Sequence, residues 1–112
     1  MPSTISYDVG DVLLLRFPFS DATGSRQRPA LVIFDTGDED VLVARITRQE
    51  RTDPQDVEIK EWSSSGLLVP SIVRLHKLAT VDKALVSRIL GKLSGVDLKN
   101  VRDVLQKIFG AF

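Results

Sequence analysis

The stretch Pro29-Ala30-Leu31-Val32-Ile33-Phe34, Asp35-Thr36-Gly37-Asp38, Val41-Leu42-Val43-Ala44-Arg45-Ile46-Thr47 decides the fold. Two apolar runs rich in β-branched residues flank a cluster of turn formers, and each run has the length of a strand. Together they read as an antiparallel hairpin with a longish turn. Two arginines, Arg26 and Arg28, close the loop before the first of these strands, and Thr47, Arg48 and Gln49 end the second.

The same punctuation continues on both sides. Upstream, Asp11-Val12-Leu13-Leu14-Leu15-Arg16-Phe17 lies between Gly10 and Pro18 and suits a buried strand. Ser20 to Ser25 is a loop by composition. Downstream, Arg48 to Gln55 is polar, contains Asp53-Pro54 and reads as a loop, and Val57-Glu58-Ile59 alternates as a short strand does. Trp62 to Gly66 is a second loop. Ser71 to His76 alternates polar and apolar, which places Arg74 and His76 on one face of a half-buried strand. Val86 to Leu93 fits strand or helix by periodicity, and Gly91 favours strand because glycine weakens a helix interior. Ser94 then has the character of an N-cap, with Asp97 three residues on as in a capping box. Val96, Val101, Val104, Leu105 and Ile108 recur at helical spacing up to Gly110. Some six short strands and one terminal helix describe an α+β domain, mainly β, built as a small β-barrel.

Composition bounds the function. A chain of 112 residues with 43% apolar content supports one core, so residues 1–112 are expected to form a single domain. No apolar run approaches the ~20 residues of a membrane helix, and the first residues lack the pattern of a signal peptide, so a cytoplasmic protein is expected. The absence of cysteine removes disulfides and thiol nucleophiles, and a single histidine does not make an ordinary zinc site. Phosphate-binding glycine loops and nucleophile elbows are absent as well. Acids and bases balance at 15 each, so no global positive field steers nucleic acid to the chain, although a short substrate responds to a local groove.

What remains is a set of polar groups at strand ends. If the two strands of the hairpin pair, Arg28 and Thr47 lie at the same open end, with Gln49 nearby. A guanidinium, a hydroxyl and an amide held on a rigid sheet suit a developing oxyanion on phosphorus. Each also has an ordinary reading. Arg28 and Arg74 can be solvated strand residues, Thr47 a plain β-former, His76 a surface histidine, and Asp53 and Asp56 ordinary loop acids. Phe19 and Trp62 are candidates for stacking on bases, and equally for packing against the domain. The residues alone reach a small barrel with an anion-binding site, and leave its chemistry open.

The segment Gly10 to Phe19, then Arg28-Pro29-Ala30-Leu31-Val32-Ile33, Ala44 to Gln49, Gly66 to Leu75, Thr80-Val81-Asp82-Lys83 and Leu90 to Ser94 together resemble the MazF/PemK-like toxins, in order, over residues 7 to 109. The resemblance implies an SH3-like barrel with a C-terminal helix, a homodimer, and a cognate antitoxin that lays an extended, often acidic segment into a groove containing Arg28, Thr47, Gln49 and Arg74. It implies an endoribonuclease, an mRNA interferase acting on single-stranded RNA without metal or cofactor, in which the 2′-hydroxyl attacks phosphorus to leave a 2′,3′-cyclic phosphate. Arg28 takes the place of the catalytic arginine and Thr47 that of the hydroxyl residue steadying the phosphate oxygens. Arg74 corresponds to an arginine that serves catalysis in the PemK branch, and Arg26, Gln49, Ser71, Arg74 and His76 are the candidate substrate-binding or auxiliary catalytic residues. His76 stands where one branch carries aspartate. Two alternatives of the same fold are a non-catalytic binding module and a gyrase poison that acts through the helix tip without Arg28.

Overall fold

The computed structural model describes residues 5–18, 25–50 and 52–111, with the backbone alone for Phe17, Pro18 and Ser25. The elements are β1 (Asp11–Pro18), β2 (Ser25–Asp35), β3 (Asp40–Arg48), β4 (Asp56–Ile59), β5 (Ser71–Asp82), a 3-10 turn (Lys83–Leu85), β6 (Val86–Lys92) and α1 (Gly95–Phe109). The strands form one antiparallel sheet in the order β4-β5-β3-β2-β1-β6. No helix is long and apolar enough to cross a membrane.

The apolar runs of β1, β2 and β3 are continuous because both faces of the sheet are covered. Val12, Leu31, Ala44, Ile46 and Val73 face the core closed by α1, which contributes Val101, Leu98, Val104, Leu105 and Ile108. Leu13, Leu15, Ala30, Val32 and Val43 face a second core with Tyr7, Val81, Leu85 and Val86. Adjacent residues on one strand thus alternate between two cores.

Two boundaries differ from the sequence expectation. β2 begins at Ser25, so Arg26 and Arg28 lie in the strand and not in the loop before it. Their composition is polar, but β1 supplies a ladder that draws them in, Arg26 opposite Phe17 and Arg28 opposite Leu15. β5 continues beyond His76 to Asp82. Its pairing with β3 jumps from Arg74 to Leu78 at a bulge, which breaks the alternation that would have revealed one long strand. Of the expected loop from Ser20 to Ser25, residues 20–24 lie outside the described residues, and Ser25 opens β2.

The sheet is not closed. Among the described residues no ladder joins β4 to β6, so the pairing does not close the expected barrel. β4 ends after four residues, and the turn that follows it packs onto β6 instead. Gly66 and Gly91 make that approach. A Cβ on Gly91 would stand 2.5 Å from the Ser65 carbonyl oxygen, and one on Gly66 2.1 Å from that of Leu90. Gly91→Ala is therefore expected to cost about 1–3 kcal/mol, read as a lower urea midpoint. Gly91 favours a strand reading, but this close approach is what requires glycine there.

The terminal helix starts as expected, with the Ser94 hydroxyl accepting the Asp97 N–H at 3.2 Å. Asp97 does not complete the capping box. Its fully buried carboxyl accepts the Lys60 N–H and the Glu61 N–H, each at 2.9 Å, and also the Ser94 hydroxyl at 3.3 Å. It ties the helix to the turn after β4.

A second anchor holds the N-terminal segment. The Asp35 carboxyl accepts the Tyr7 N–H at 2.7 Å and the Gly37 N–H at 2.8 Å, and pairs with Lys83 Nζ at 2.9 Å. The Tyr7 amide, then Lys83 and Gly37, hold its pKa at about 2. A folded pKa depressed below the unfolded value adds stability above the unfolded pKa, and that stability is lost as pH falls through the folded one. The Tm difference between the parent protein and Asp35→Asn should be full at pH 6 and vanish between about pH 4 and pH 2.

Candidate functional site

The ladder of β2 on β3 runs as far as Ala30 opposite Arg45, and Arg28 and Thr47 lie just beyond it at the same end of the two strands. Both side chains are half-buried and line a cleft of about 930 Å³. The end of β2 and β3 forms one wall, β5 and β6 contribute further residues, and Gly66 to Val69 close it from the loop side.

The cleft is strongly basic although the chain is neutral. Arg28, Arg45, Arg48, Arg74, Lys77 and Arg88 line it, against Glu50 as its acid. The lining is otherwise largely aliphatic, with Leu14, Pro29, Leu67 and Leu90 among its walls. Opposing low-dielectric surface strengthens the field of those cations. Among the described residues no acid pairs with Arg28 and no group bonds to the Thr47 hydroxyl, so both are available to a ligand. No group of three or more His, Asp or Glu side chains is placed to hold a metal ion, among the described residues.

The remaining candidates are divided by the fold. Ser71 lines the cleft but is buried, and its hydroxyl donates to the Val69 carbonyl at 2.8 Å, which shapes the loop wall. Arg74 also lines the cleft, but its guanidinium is engaged. Nη2 donates to Asp53 Oδ2 at 2.9 Å and Nε lies 3.3 Å from Asp56 Oδ1. Gln49 is exposed outside the cleft lining, donating from Nε2 to Glu58 Oε1 at 2.8 Å and from its backbone to Pro70. His76 is outside it too, with Nδ1 4.0 Å from Asp56 Oδ1. Arg26 is exposed on β2, also away from the cleft. Trp62 packs half-buried against the core under α1, and Phe19 lies outside the described residues.

The model of the PemK-like, MazF-like toxins of type II toxin–antitoxin systems matches residues 8–109. The chain belongs to this toxin family. No curated protein sequence matches it well enough to count as a relative. Among solved structures, it is similar to the MazE–MazF complex of Deinococcus radiodurans, with a TM-score of 0.75 and 20% identity over 97% of this chain and 100% of that one. It is similar to a mycobacterial endoribonuclease in complex with its cognate antitoxin, at TM-score 0.71 and 20% identity over 94% and 96% of the two chains. The Mycobacterium tuberculosis toxin MazF-mt6 follows at TM-score 0.69 and 20% identity, over 88% of this chain and 96% of that one. At such identities these likenesses establish a shared MazF-like fold.

Three cations of the toxin's cleft escaped the sequence reading: Arg45, Lys77 and Arg88. For Arg45 a signal existed, since it is two residues from Thr47 on β3 and so shares its face. Arg88 gave none, because only the pairing of β6 with β1 brings it beside Leu14. Asp53 and Asp56, read as ordinary loop acids, are the partners of Arg74.

Proposed function

We propose that this toxin is an endoribonuclease that cuts single-stranded mRNA at a short sequence, without a metal ion, in the cleft containing Arg28 and Thr47. The observation that carries the reading is a half-buried guanidinium and a half-buried hydroxyl, neither with a partner among the described residues, lining one basic cleft of a neutral protein. The substrate's 2′-hydroxyl attacks the adjacent phosphorus and loses its proton. The bond from phosphorus to the 5′-oxygen breaks, and that oxygen takes up a proton. Negative charge peaks on the non-bridging oxygens of the phosphorane between these events. Arg28 meets it with two parallel N–H donors and a full charge, and Thr47 donates a further hydrogen bond. Arg45, Arg48 and Arg88 hold the flanking phosphates, a sequence-independent contribution.

As in the complexes with antitoxin among its structural neighbours, the toxin is expected to bind a cognate antitoxin, and the active form to be a cytoplasmic homodimer. Acidic residues on the antitoxin would compete with RNA for the same cations. Purified toxin incubated with a long single-stranded RNA of mixed sequence should yield discrete fragments, whereas RNA left intact would overturn the reading. Solution mass checks the assembly: twice the chain mass is expected at micromolar concentration, and a clean monomer contradicts it.

A further inference from the structure

Arg74 lines the cleft, yet one edge of its guanidinium is already taken. Nε faces Asp56 and Nη2 donates to Asp53. The two acids are held very differently. The Asp56 side chain is fully buried, sits opposite Arg74 across the β4–β5 ladder, and accepts the Asp53 N–H at 2.8 Å. Moving it would break the turn, because its own N–H is bonded to the Asp53 carbonyl at 2.9 Å. The Asp53 carboxyl is 39% exposed, and Arg74 is its hydrogen-bond partner among the described residues. It already touches water and is free to turn outward with no loss of backbone bonds.

We propose that Asp53 is a displaceable counter-ion of Arg74, released when a phosphate of single-stranded RNA enters the cleft, while Asp56 is the fixed partner that keeps the guanidinium in place. The inference rests on the ribonuclease reading above. In the free protein two carboxyls offset one guanidinium, so Arg74 adds nothing to the positive field of the cleft. A polyanion anchored by Arg28, Arg45 and Arg88 presents a phosphate at high local concentration and exchanges with Asp53. A weak monoanion does not. Asp53 thereby sets the affinity threshold of the site.

The test is binding of a 2′-O-methyl oligonucleotide, which the proposed chemistry cannot cut, from about 50 to about 200 mM salt. Asp53→Asn keeps the backbone bonds of the turn and should retain the parent Tm. It should bind several-fold more tightly at low salt, with the slope of log Kd against log salt close to that of the parent, because the same phosphates are neutralised in both complexes. In an Arg74→Gln background the same substitution should give no gain. Unchanged affinity in Asp53→Asn, or a gain that persists without Arg74, overturns the proposal and leaves the ribonuclease reading standing. A parent protein that fails to bind the oligonucleotide overturns both.

Discussion

Replacing Arg28 with alanine should lower single-turnover RNA cleavage by about a thousandfold while leaving the thermal midpoint within a degree or so of the parent. The magnitude is that of removing one preorganised charge-stabilising donor from a site where charge develops. The stability expectation follows from the structure, since no acid depends on Arg28 among the described residues and its loss strands no partner. Arg28→Lys should recover only part of the rate, because an ammonium restores the charge but not the two parallel donors. Expression in cells gives an independent reading, as growth arrest should disappear with Arg28→Ala. Arrest that persists without RNA cleavage would place the toxicity elsewhere, as in a gyrase poison of this fold.

The largest structural effect is expected at Asp97. Asp97→Ala should cost about 4 kcal/mol, because it strips two charge-assisted hydrogen bonds and leaves the Lys60 and Glu61 N–H groups without their acceptor. For a chain of this size the corresponding fall in Tm is on the order of 15 °C. Asp97→Asn retains one acceptor oxygen and turns an amide donor toward a backbone donor, so about half that loss is expected. The effect should also reach the cleft. The turn that Asp97 holds continues through Ser65, whose N–H reaches back to Glu61 and Trp62, into Gly66 to Val69, which wall the cleft. Cleavage by Asp97→Asn well below its Tm should therefore show a raised KM, and an unchanged KM would disconnect this turn from the site.

These two residues mark how far the sequence could be read. That Arg28 and Thr47 line one cleft was accessible because a hairpin makes a local prediction: two apolar runs and a turn bring the far ends of both strands to the same side of the molecule. Asp97 was legible only as a helix-start residue. Its real partners lie in a turn some 36 positions away, and no local pattern encodes that contact. The same limit applies to β5, where a bulge hid half the strand. It applies to the open edge between β4 and β6, where paired glycines replace a closing ladder. Gln49 and His76 were placed with the site by proximity in sequence and by strand face, but the side chain of Gln49 turns to Glu58 and that of His76 lies toward Asp56. The basic character of the cleft was hidden by the zero net charge, because its six cations come from four strands that meet only through the sheet.

The measurement that bears most directly on the account is the chemistry of the RNA ends. Purified toxin should be incubated with single-stranded RNA in excess EDTA, and the fragment termini identified. Fragments ending in 2′,3′-cyclic phosphate and beginning with a 5′-hydroxyl, with cleavage abolished by one 2′-deoxy substitution at the scissile position, are the predicted result. Cleavage that continues through the 2′-deoxy position would contradict attack by the substrate's own hydroxyl in the Arg28–Thr47 cleft, and cleavage that stops when EDTA is added would contradict a metal-free reaction there.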